Sequence, residues 1–363
     1  MIKLYFIFIL WVGIIFSSFS FASLRFISAQ DSSLAWNGRV DRSIPDRVSY
    51  TWPSVYCRFI TDSKILKVIL NDSVNITKVL IDGVQKLEIF PQEGIKTNNI
   101  ATNLSSGLHE VIIVKRTEVQ WQKGEFIGIL VDDSAKVLPK KSERRIEFLG
   151  DSFTVGYGNL ANTLSCPGKA VWSNTDSWWS WAAITARHFN ADFMINASSG
   201  KGLILNYGKS LPAVPEEAFF QEYKRTLQNN PDLLWEFDEQ KPDLVVIFIG
   251  LNDFSTPWDD KITQPEDPKE KDWISEYLKI INMLRKKYKG VKFLCLGYPA
   301  LGLDRMVFNM VSDQKKKKFK DIEYGLLPSL SKEDLGCDWH PAVSGHKKMA
   351  EDVIPVIKQF MQW

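Results

Sequence analysis

The sequence predicts two domains of different fold class, an antiparallel β-sandwich followed by an α/β domain with a parallel sheet between helices. In the first part, up to about residue 138, short alternating or β-branched runs are separated by turn signals and show no helical periodicity. Beyond residue 144, strand-like runs alternate with stretches whose apolar residues recur at helical spacing. The intervening run LPKKSE has the composition of a linker. We therefore expect a sandwich at residues 30–138, a linker at 139–144 and the α/β domain at 145–363.

The individual elements follow from these patterns. In the sandwich, the strand pattern occupies residues 55–59, 65–70, 78–81, 109–115 and 126–131. The dipeptide Asp82-Gly83 is a turn signal directly after one of these runs. In the α/β domain, strands are expected at residues 145–149, 192–195, 244–249 and 291–296, and helices at 176–189 and 273–288. Ser344 is expected to cap a final amphipathic helix.

The composition is that of a globular protein with ample material for two cores. Of the 363 residues, 45% are hydrophobic and 12% are aromatic. The 45 basic and 43 acidic side chains give a net charge of +2, and no block of charge indicates a nucleic-acid partner.

Residues 1–29 have the pattern of a secretory signal peptide. Lys3 supplies the positive start, an apolar stretch follows, and two positions fit cleavage, after Ala22 and after Ala29. The alternative is an uncleaved membrane anchor, but the apolar stretch is short for a bilayer span. We therefore expect a secreted or periplasmic protein without stable membrane insertion after cleavage.

The four cysteines are too few for a disulfide scaffold, and their spacing fits no zinc site. Cys295 lies in the apolar run VKFLCLG and is expected to be a buried thiol. Cys166 and Cys337 fall in loops expected at the rim of the active site. We hypothesise that they form a disulfide, which suits an oxidising compartment.

Three short polar motifs occur in the α/β domain, in the order GDS (150–152), GLND (250–253) and DWHP (338–341). The first two directly follow strand patterns, which places them at the carboxyl ends of two strands, where open α/β sheets carry their chemistry. A serine hydroxyl needs an adjacent base as a nucleophile, and that base needs a group that orients it. Ser152, His340 and Asp338 are the candidates for nucleophile, base and acid.

Each motif alone has a structural explanation, and it is their combination that favours catalysis. A Gly-Asp-Ser triplet after a strand is commonly a turn with a helix N-cap, and a histidine before proline can lie in a surface loop. Three such coincidences in this order are improbable. If residues 338–340 are extended, as Pro341 favours at His340, the side chains of Asp338 and His340 point to the same side.

Asn252 is a candidate oxyanion donor, because a side-chain amide at a strand end can bond a carbonyl oxygen that becomes negatively charged. The alternative is that Asn252 only caps its loop through backbone amides. We expect that structural role for Asp253 instead, and a structural turn role for Asp151.

With these motifs the chain resembles the SGNH (GDSL-like) hydrolases, and among them the acetyl esterases of carbohydrate esterase family 2. The matching segments are GDSFTVGYG (150–158), NASSGKG (196–202), GLNDFS (250–255) and CDWHPAVSGH (337–346). The resemblance implies a jelly-roll sandwich ahead of a flavodoxin-like SGNH hydrolase domain. It also implies an oxyanion hole made by the Ser152 amide, the Asn252 side chain and a glycine amide, with Gly200 as first choice and Gly202 as second.

The spacing in the last motif bears on the third member of the triad. A single residue separates Asp338 from His340, whereas general SGNH enzymes place two residues between the acid and the histidine. This spacing resembles the family 2 esterases, some of which orient the histidine through a backbone carbonyl. The Asp338 carboxylate and a backbone carbonyl are therefore both candidates.

The resemblance implies a secreted serine esterase that removes O-acetyl groups from acetylated xylan or glucomannan without a metal or an organic cofactor. Most of the 13 tryptophans are expected in the cores, but Trp258 and Trp339 lie beside the motifs and, with Tyr207, are candidates to contact a polysaccharide. The alternatives are an SGNH lipase, thioesterase or acetyltransferase, or a non-catalytic glycan-binding protein. The presence of Ser152, Asp338 and His340 argues against a binding protein.

Overall fold

Two antiparallel sheets form the first domain. In the computed structural model, the described residues are 23–167, 170–209, 218–237, 239–255 and 267–363. In chain order the strands of the first domain are β1 (Leu24–Ser28), β2 (Ala35–Asn37), β3 (Val48–Tyr50), β4 (Tyr56–Thr61), β5 (Leu66–Asn71), β6 (Thr77–Ile81), β7 (Val84–Ile89), β8 (Ile95–Ala101), β9 (His109–Lys115), β10 (Gly124–Asp132) and β11 (Val137–Pro139). One sheet has the order β1-β10-β5-β8, with β3 beside β10, and the other has the order β11-β4-β9-β6-β7, with β2 beside β4. The predicted β-sandwich is therefore confirmed.

The sandwich core follows from the alternating side chains of its strands. In β5, Leu66, Val68 and Leu70 are buried, while the residues between them are partly exposed. The predicted Asp82-Gly83 turn joins β6 to β7, and both residues have positive φ, 52° and 76°. Tight hairpin turns require this backbone conformation, which aspartate and glycine tolerate.

Strand β1 lies ahead of the expected domain start at residue 30. It pairs with β10 from Leu24 opposite Asp132 to Ser28 opposite Gly128. A Cβ atom on Gly128 would lie 2.3 Å from the Ile27 carbonyl oxygen, so the glycine is needed for this pairing. At the other boundary, β11 still pairs with β4, which extends the sandwich to Pro139.

The second domain contains a parallel five-stranded sheet. Its strands are β12 (Arg145–Gly150), β13 (Asp192–Ala197), β14 (Leu244–Phe248), β15 (Lys292–Gly297) and β16 (Ile322–Leu326). They are arranged in the order β13-β12-β14-β15-β16. Strand order reverses direction around β12, so the crevice between the ends of β12 and β14 is the topological switch point where such sheets bind ligands.

Helices cover both faces of this sheet. The described helices are α1 (Ser152–Val155), α2 (Ala170–Asn174), α3 (Trp181–His188), α4 (Phe219–Glu222), α5 (Glu270–Lys287), α6 (Leu303–Lys316) and α7 (Val343–Met361). Helices α3 and α7 pack on one face through residues such as Trp181 and Val353, and α5 and α6 pack on the other through Trp273 and Val307. The predicted α/β fold with a parallel sheet is confirmed.

Three helix starts differ from the predictions, and one of them is that of α5, which begins at Glu270 rather than at residue 273. The segment expected as one helix from residue 176 is a 3₁₀ turn followed by α3, whose N-cap is Ser180. Ser344 does not cap the final helix, because α7 already begins at Val343. The Val343 amide donates to the Asn159 carbonyl at 3.0 Å, so a distant loop takes the place of a capping side chain.

The two domains share a buried interface. Tyr56 and Ile112 of the sandwich belong to the same apolar cluster as Phe193 of the α/β domain. Arg39 of the sandwich forms a fully buried ion pair with Glu147 in β12, with 3.2 Å between nitrogen and oxygen. The sandwich therefore packs against and pairs with the strand that leads to Ser152.

None of the helices in the described ranges is long and apolar enough to cross a membrane.

Candidate active site

Ser152 lies at the first position of α1, directly after β12. The Asp151 side chain caps this short helix by accepting the Phe153 amide at 3.1 Å, as the predicted turn role requires. A Cβ atom at Gly150 would lie 2.2 Å from Thr154 Oγ1, so only glycine fits where the chain turns from strand to helix. Helix α1 ends at Gly156, which has a left-handed conformation. The serine is thus fixed at the switch point of the sheet.

His340 is hydrogen-bonded to Ser152. The distance from His340 Nε2 to Ser152 Oγ is 2.8 Å, and the opposite ring nitrogen, Nδ1, lies 3.0 Å from the backbone carbonyl oxygen of Asp338. The two motifs, 188 residues apart, therefore meet in the geometry of a nucleophile and its base. A carbonyl oxygen only accepts, so the proton of the neutral ring is on Nδ1 and Nε2 is the acceptor.

The Asp338 carboxylate is not hydrogen-bonded to His340. The extended conformation predicted for residues 338–340 is present at His340, with φ of −82° and ψ of 159°, but not at Asp338 and Trp339. Asp338 and Trp339 both have left-handed backbone conformations, with φ of 48° and 62°. The carboxylate instead accepts a hydrogen bond from the Tyr157 hydroxyl at 3.0 Å. Tertiary contacts impose this turn, since the Asp338 amide donates to the Leu164 carbonyl at 3.0 Å.

Two aromatic rings enclose the imidazole. The centroid of the Tyr157 ring is 4.3 Å from that of His340, and the Phe153 centroid is at 5.2 Å. Burial lowers the pKa of His340, and the Asp338 carbonyl and carboxylate counteract this only in part. His340 is therefore neutral at neutral pH and able to accept a proton.

Sequence reasoning missed Tyr157 and Phe153. Both belong to the run GDSFTVGYG, and the available signal was the presence of two aromatic residues within five positions of Ser152. The Tyr157 amide donates to the Ser152 carbonyl at 3.2 Å, which folds the end of α1 back towards the serine. The same run thus supplies a hydroxyl and the ring that packs on the imidazole.

Of the two candidate glycines, Gly200 lines the cavity that holds Ser152 and Gly202 does not. Gly200 lines the same cavity as Ser152 and Asn252 and has a φ of 78°. Within the described part of the chain, the amides of Ser152 and Gly200 donate to no protein acceptor. By contrast, the Gly202 amide donates to Asn206 Oδ1 at 3.3 Å. The amide of Gly200, which is the first choice, can therefore donate to a substrate oxygen.

Asn252 and Asp253 have different surroundings. One hydrogen of Asn252 Nδ2 is donated to the Lys201 carbonyl at 2.8 Å, which leaves the second hydrogen of the amide for another acceptor. The Asp253 carboxylate accepts the amides of residues 203, 204 and 205 at 2.6 to 3.0 Å, so its predicted loop-capping role is confirmed. Burial raises the pKa of Asp253 to about 6 and that of Asp151 to about 7.

A cavity of about 660 Å³ opens over Ser152 and His340. Two of the three aromatic residues predicted to contact substrate, Tyr207 and Trp339, line it and are 57% and 61% exposed. Trp258 lies outside the described residues. Phe254 and Leu301 add apolar surface to the wall. A site of this size and composition suits a small organic ligand with an apolar or ring face.

The hypothesised disulfide between Cys166 and Cys337 is present. Cys337 directly precedes the left-handed turn that leads to His340, and a Cβ atom on Gly158 would lie 2.3 Å from the Cys337 Cβ. The bond therefore holds the histidine loop against the segment after α1. Cys295 is a buried free thiol, as predicted. Across the ranges that the structure describes, no group of three or more His, Cys, Asp or Glu side chains is placed to hold a metal ion.

Together, this fold and this site indicate one class of enzyme. A parallel α/β sheet whose switch point carries a Ser-His pair, unpaired backbone amides and an asparagine amide has the features of GDSL-like serine ester hydrolases. Residues 148–322 match the family model of the GDSL-like Lipase/Acylhydrolase family, and residues 36–140 match that of the Carbohydrate esterase 2 N-terminal domain.

Relatives along the whole chain identify the family. An acetylxylan esterase / glucomannan deacetylase of Cellvibrio japonicus is 31% identical over 320 residues, which are 87% of this chain and 86% of that protein. The cellulase/esterase CelE of Acetivibrio thermocellus is 31% identical over 342 residues, 91% of this chain and 40% of that protein. A family two carbohydrate esterase from Clostridium thermocellum, solved in complex with cellohexaose, superposes with a TM-score of 0.81 at 28% identity and covers 91% of this chain and 99% of that chain. The chain belongs to carbohydrate esterase family 2 and is a carboxylic ester hydrolase.

Proposed function

We propose that the chain is a secreted serine esterase that removes O-acetyl groups from polysaccharides through an acetyl-enzyme. The observation that carries this proposal is the 2.8 Å hydrogen bond between Ser152 Oγ and His340 Nε2 in the wall of the cavity. In this role Ser152 is the nucleophile and His340 is the general base and acid.

In the first half of the reaction, Ser152 Oγ attacks the acetyl carbonyl carbon while His340 Nε2 takes the hydroxyl proton. The tetrahedral intermediate then breaks its bond to the sugar oxygen, which receives the proton from Nε2. The deacetylated sugar hydroxyl leaves, and the acetyl group remains as an ester on Ser152. The neutral His340, whose pKa is lowered by burial, suits the first of these proton transfers.

In the second half, water attacks the acetyl-enzyme. His340 Nε2 takes a proton from the water as the oxygen bonds to the acetyl carbon, and it returns that proton to Ser152 Oγ as the acyl bond breaks. Acetic acid, which carries the second proton of the water, is released and ionises to acetate in solution, and the serine hydroxyl is restored. Both halves use the same ring nitrogen, which the contact from Nδ1 to the Asp338 carbonyl keeps free of its own proton.

The negative charge of both tetrahedral intermediates is assigned to three donors. The Ser152 and Gly200 amides line the cavity without protein acceptors among the described residues, and the Asn252 amide has one hydrogen to donate. Each donor of this kind lowers the barrier by about 3 kcal/mol. Because Asn252 is also held by the Lys201 carbonyl, its amide is oriented before substrate arrives.

The proposed substrate is an acetylated polysaccharide such as xylan or glucomannan. The relative from Cellvibrio japonicus is named for acetylxylan and glucomannan, and the solved structure from Clostridium thermocellum contains cellohexaose. In this chain, the exposed rings of Tyr207 and Trp339 offer apolar faces at the cavity where a sugar ring can stack. The cavity is far larger than an acetyl group, so it accommodates part of the sugar as well.

Secretion is supported by two features. The first residues have the charge and apolar pattern of a signal peptide. The Cys166–Cys337 disulfide persists in oxidising compartments such as the periplasm or the extracellular space. Because Leu24–Ser28 pairs along β10, we place signal cleavage after Ala22 rather than Ala29, since the later cut would remove the edge strand β1.

The proposal is tested by measuring acetate released by the purified mature protein from acetylated xylan, acetylated glucomannan and an aryl acetate. Ser152→Ala is the inactive variant, and Ser173→Ala, at an exposed serine of α2, is the matched control. Release from a polysaccharide that disappears in Ser152→Ala and persists in Ser173→Ala supports the proposal and identifies the substrate.

The other outcomes separate the alternatives. Turnover of the aryl acetate alone would retain the serine chemistry and reject the polysaccharide substrate in favour of a lipase, thioesterase or acetyltransferase role. Retention of full activity in Ser152→Ala would reject the mechanism. No turnover, combined with binding of cello-oligosaccharides by both wild type and Ser152→Ala, would indicate a glycan-binding protein.

A further inference from the structure

A loop of the sandwich domain reaches the peptide that carries the Gly200 amide. The loop joins β9 to β10. Its Glu118 accepts the Ser199 amide at 2.8 Å and the Ser199 hydroxyl at 2.5 Å. Gln120 Nε2 donates both to Glu118 Oε1 at 2.7 Å and to the Ser199 carbonyl at 3.4 Å. The amide, the hydroxyl and the carbonyl of Ser199 are thus all bound by two residues of the other domain.

The bond to the Ser199 carbonyl determines where the Gly200 N–H points. These two groups belong to one peptide plane, and in a trans peptide they point in opposite directions. The described residues contain no cis peptide bonds. Holding the Ser199 carbonyl towards Gln120 therefore fixes the Gly200 N–H away from Gln120. Gly200 has no Cβ and a left-handed φ, so its own conformational preferences do not restrict this peptide.

The β9–β10 loop is itself firmly attached to the α/β domain. Arg116 Nε donates to the Thr175 carbonyl at 3.1 Å, and the Ser177 amide donates back to the Arg116 carbonyl at 3.0 Å. Val119, between Glu118 and Gln120, is 1% exposed. Glu118 and Gln120 therefore lie on a loop that is hydrogen-bonded to the α/β domain and packed through Val119, as a positioning contact requires.

The residues on either side of Ser199 and Gly200, which are Ser198 and Lys201, are held by contacts within the α/β domain. Ser198 Oγ donates to Glu222 Oε1 at 2.6 Å, and the Lys201 carbonyl accepts Asn252 Nδ2 at 2.8 Å. Both partners lie in the α/β domain. Loss of the Glu118 and Gln120 contacts would leave this segment attached on either side, while Ser199 and the peptide that joins it to Gly200 would lose their bound orientation.

We propose that Glu118 and Gln120 are positioning residues through which the sandwich domain orients the Gly200 amide as an oxyanion donor. This inference rests on the proposed function, because it takes Gly200 as a donor to the acetyl oxygen. It assigns the sandwich a part in catalysis, although neither residue contacts the reacting atoms. The contribution acts on the transition state, so kcat is the quantity that it changes.

The test uses the full-length mature protein with an aryl acetate and the matching aryl thionoacetate. Glu118→Ala and Gln120→Ala are compared with Glu110→Ala. Glu110 is a sandwich residue that pairs with Arg58, which also contacts Asp192 at the start of β13, the opposite end of the sheet from Ser152. We expect Glu118→Ala to lower kcat about 10-fold or more. KM should stay within about threefold, and the control within about twofold of wild type.

The thionoacetate separates positioning from a structural defect. Sulfur is a weak hydrogen-bond acceptor, so an intact oxyanion hole favours the oxygen ester. If Glu118 positions a donor, Glu118→Ala lowers the rate on the acetate more than on the thionoacetate. A general defect lowers both rates by the same factor, and that result would overturn the proposal.

The failure of this inference is distinguishable from failure of the proposed function. If Ser152→Ala retains activity, the esterase mechanism itself is wrong. If Ser152→Ala is inactive but folded Glu118→Ala and Gln120→Ala keep kcat within twofold of wild type, only the positioning role is rejected. Should Glu118→Ala fail to fold, Gln120→Ala decides alone, because it removes the bond to the Ser199 carbonyl and keeps the Glu118 carboxylate.

Discussion

The Tyr157 hydroxyl donates to the Asp338 carboxylate at 3.0 Å, while the backbone carbonyl of the same aspartate lies 3.0 Å from His340 Nδ1. The side chain of Asp338 thus bonds to Tyr157, and its main chain bonds to His340. The carboxylate holds the turn against Tyr157, and the carbonyl orients the imidazole. This division gives the aspartate motif a function that differs from that of a triad acid.

Replacing Asp338 by Asn should therefore have a small effect. The backbone carbonyl remains in place, asparagine tolerates the left-handed conformation at φ 48°, and its amide oxygen can still accept from Tyr157. We expect kcat on an aryl acetate to stay within about tenfold of wild type, whereas a triad acid replaced by asparagine costs about 10⁴-fold. His340→Ala is the comparison, and its activity should be abolished. A loss in Asp338→Asn as large as that in His340→Ala would contradict the backbone role.

Removal of the Asn252 side chain should lower kcat. The amide is oriented by the Lys201 carbonyl and faces the cavity, so it is expected to contribute more to the transition state than to substrate binding. We expect Asn252→Ala to reduce kcat about 100-fold or more with little change in KM. Steady-state kinetics on an aryl acetate measure both constants. Asn98→Ala, in β8 of the sandwich, is the control, and a change confined to KM would argue against an oxyanion role.

The pH dependence of kcat/KM should reflect a histidine that loses its proton at a pH below its ordinary pKa. Burial lowers the pKa of His340 from its ordinary value of about 6.5, and the base must be neutral to accept the serine proton. As pH rises, kcat/KM should therefore increase through a midpoint below 6.5 and then reach a plateau. A pH profile of kcat/KM between pH 4 and 8 tests this. A midpoint above 6.5 would mean that the surroundings stabilise the imidazolium in the free enzyme.

Reduction of the Cys166–Cys337 disulfide should weaken both stability and activity. The bond closes a sequence separation of 171 residues and holds the loop that carries His340. We expect Cys166→Ser to reduce the free energy of unfolding by about 2–4 kcal/mol, as measured by denaturant titration. The variant has three unpaired thiols, Cys57, Cys295 and Cys337, and no disulfide left to reduce, so reductant should not affect it further. Equal stability of the oxidised and reduced wild type would reject a stabilising role.

Local sequence patterns predict which residues form the candidate site. Ser152 and Asn252 follow long apolar runs that indicate buried strands, and the ends of parallel strands determine where such residues lie. The left-handed turn at Asp338 and Trp339 was not predictable, because no local propensity favours that conformation in a tryptophan. It is imposed by the disulfide at Cys337 and by the bond to the Leu164 carbonyl.

Long-range contacts were the other part that the sequence could not reveal. Glu118 lies 81 positions before Ser199 and in a different domain, and it has no motif of its own. The short edge strands β1 and β11 were also missed as strands, since each has few residues and pairs with only one neighbour. Sequence reasoning succeeds here where burial creates periodicity and fails where a single tertiary contact decides the conformation.

The buried pair of Arg39 and Glu147 restricts how this protein can be recombined. Arg39 belongs to the sandwich and also packs on the Tyr223 ring, at 4.3 Å from its centroid, while Glu147 lies in the strand that ends at the serine. Grafting the α/β domain alone into another enzyme would remove the guanidinium partner of Glu147 and leave it with the neutral donors Asn196 and Tyr223. Breaking a buried ion pair in this way costs about 3–5 kcal/mol. The two domains are therefore expected to be inherited and exchanged together, as a single unit of recombination.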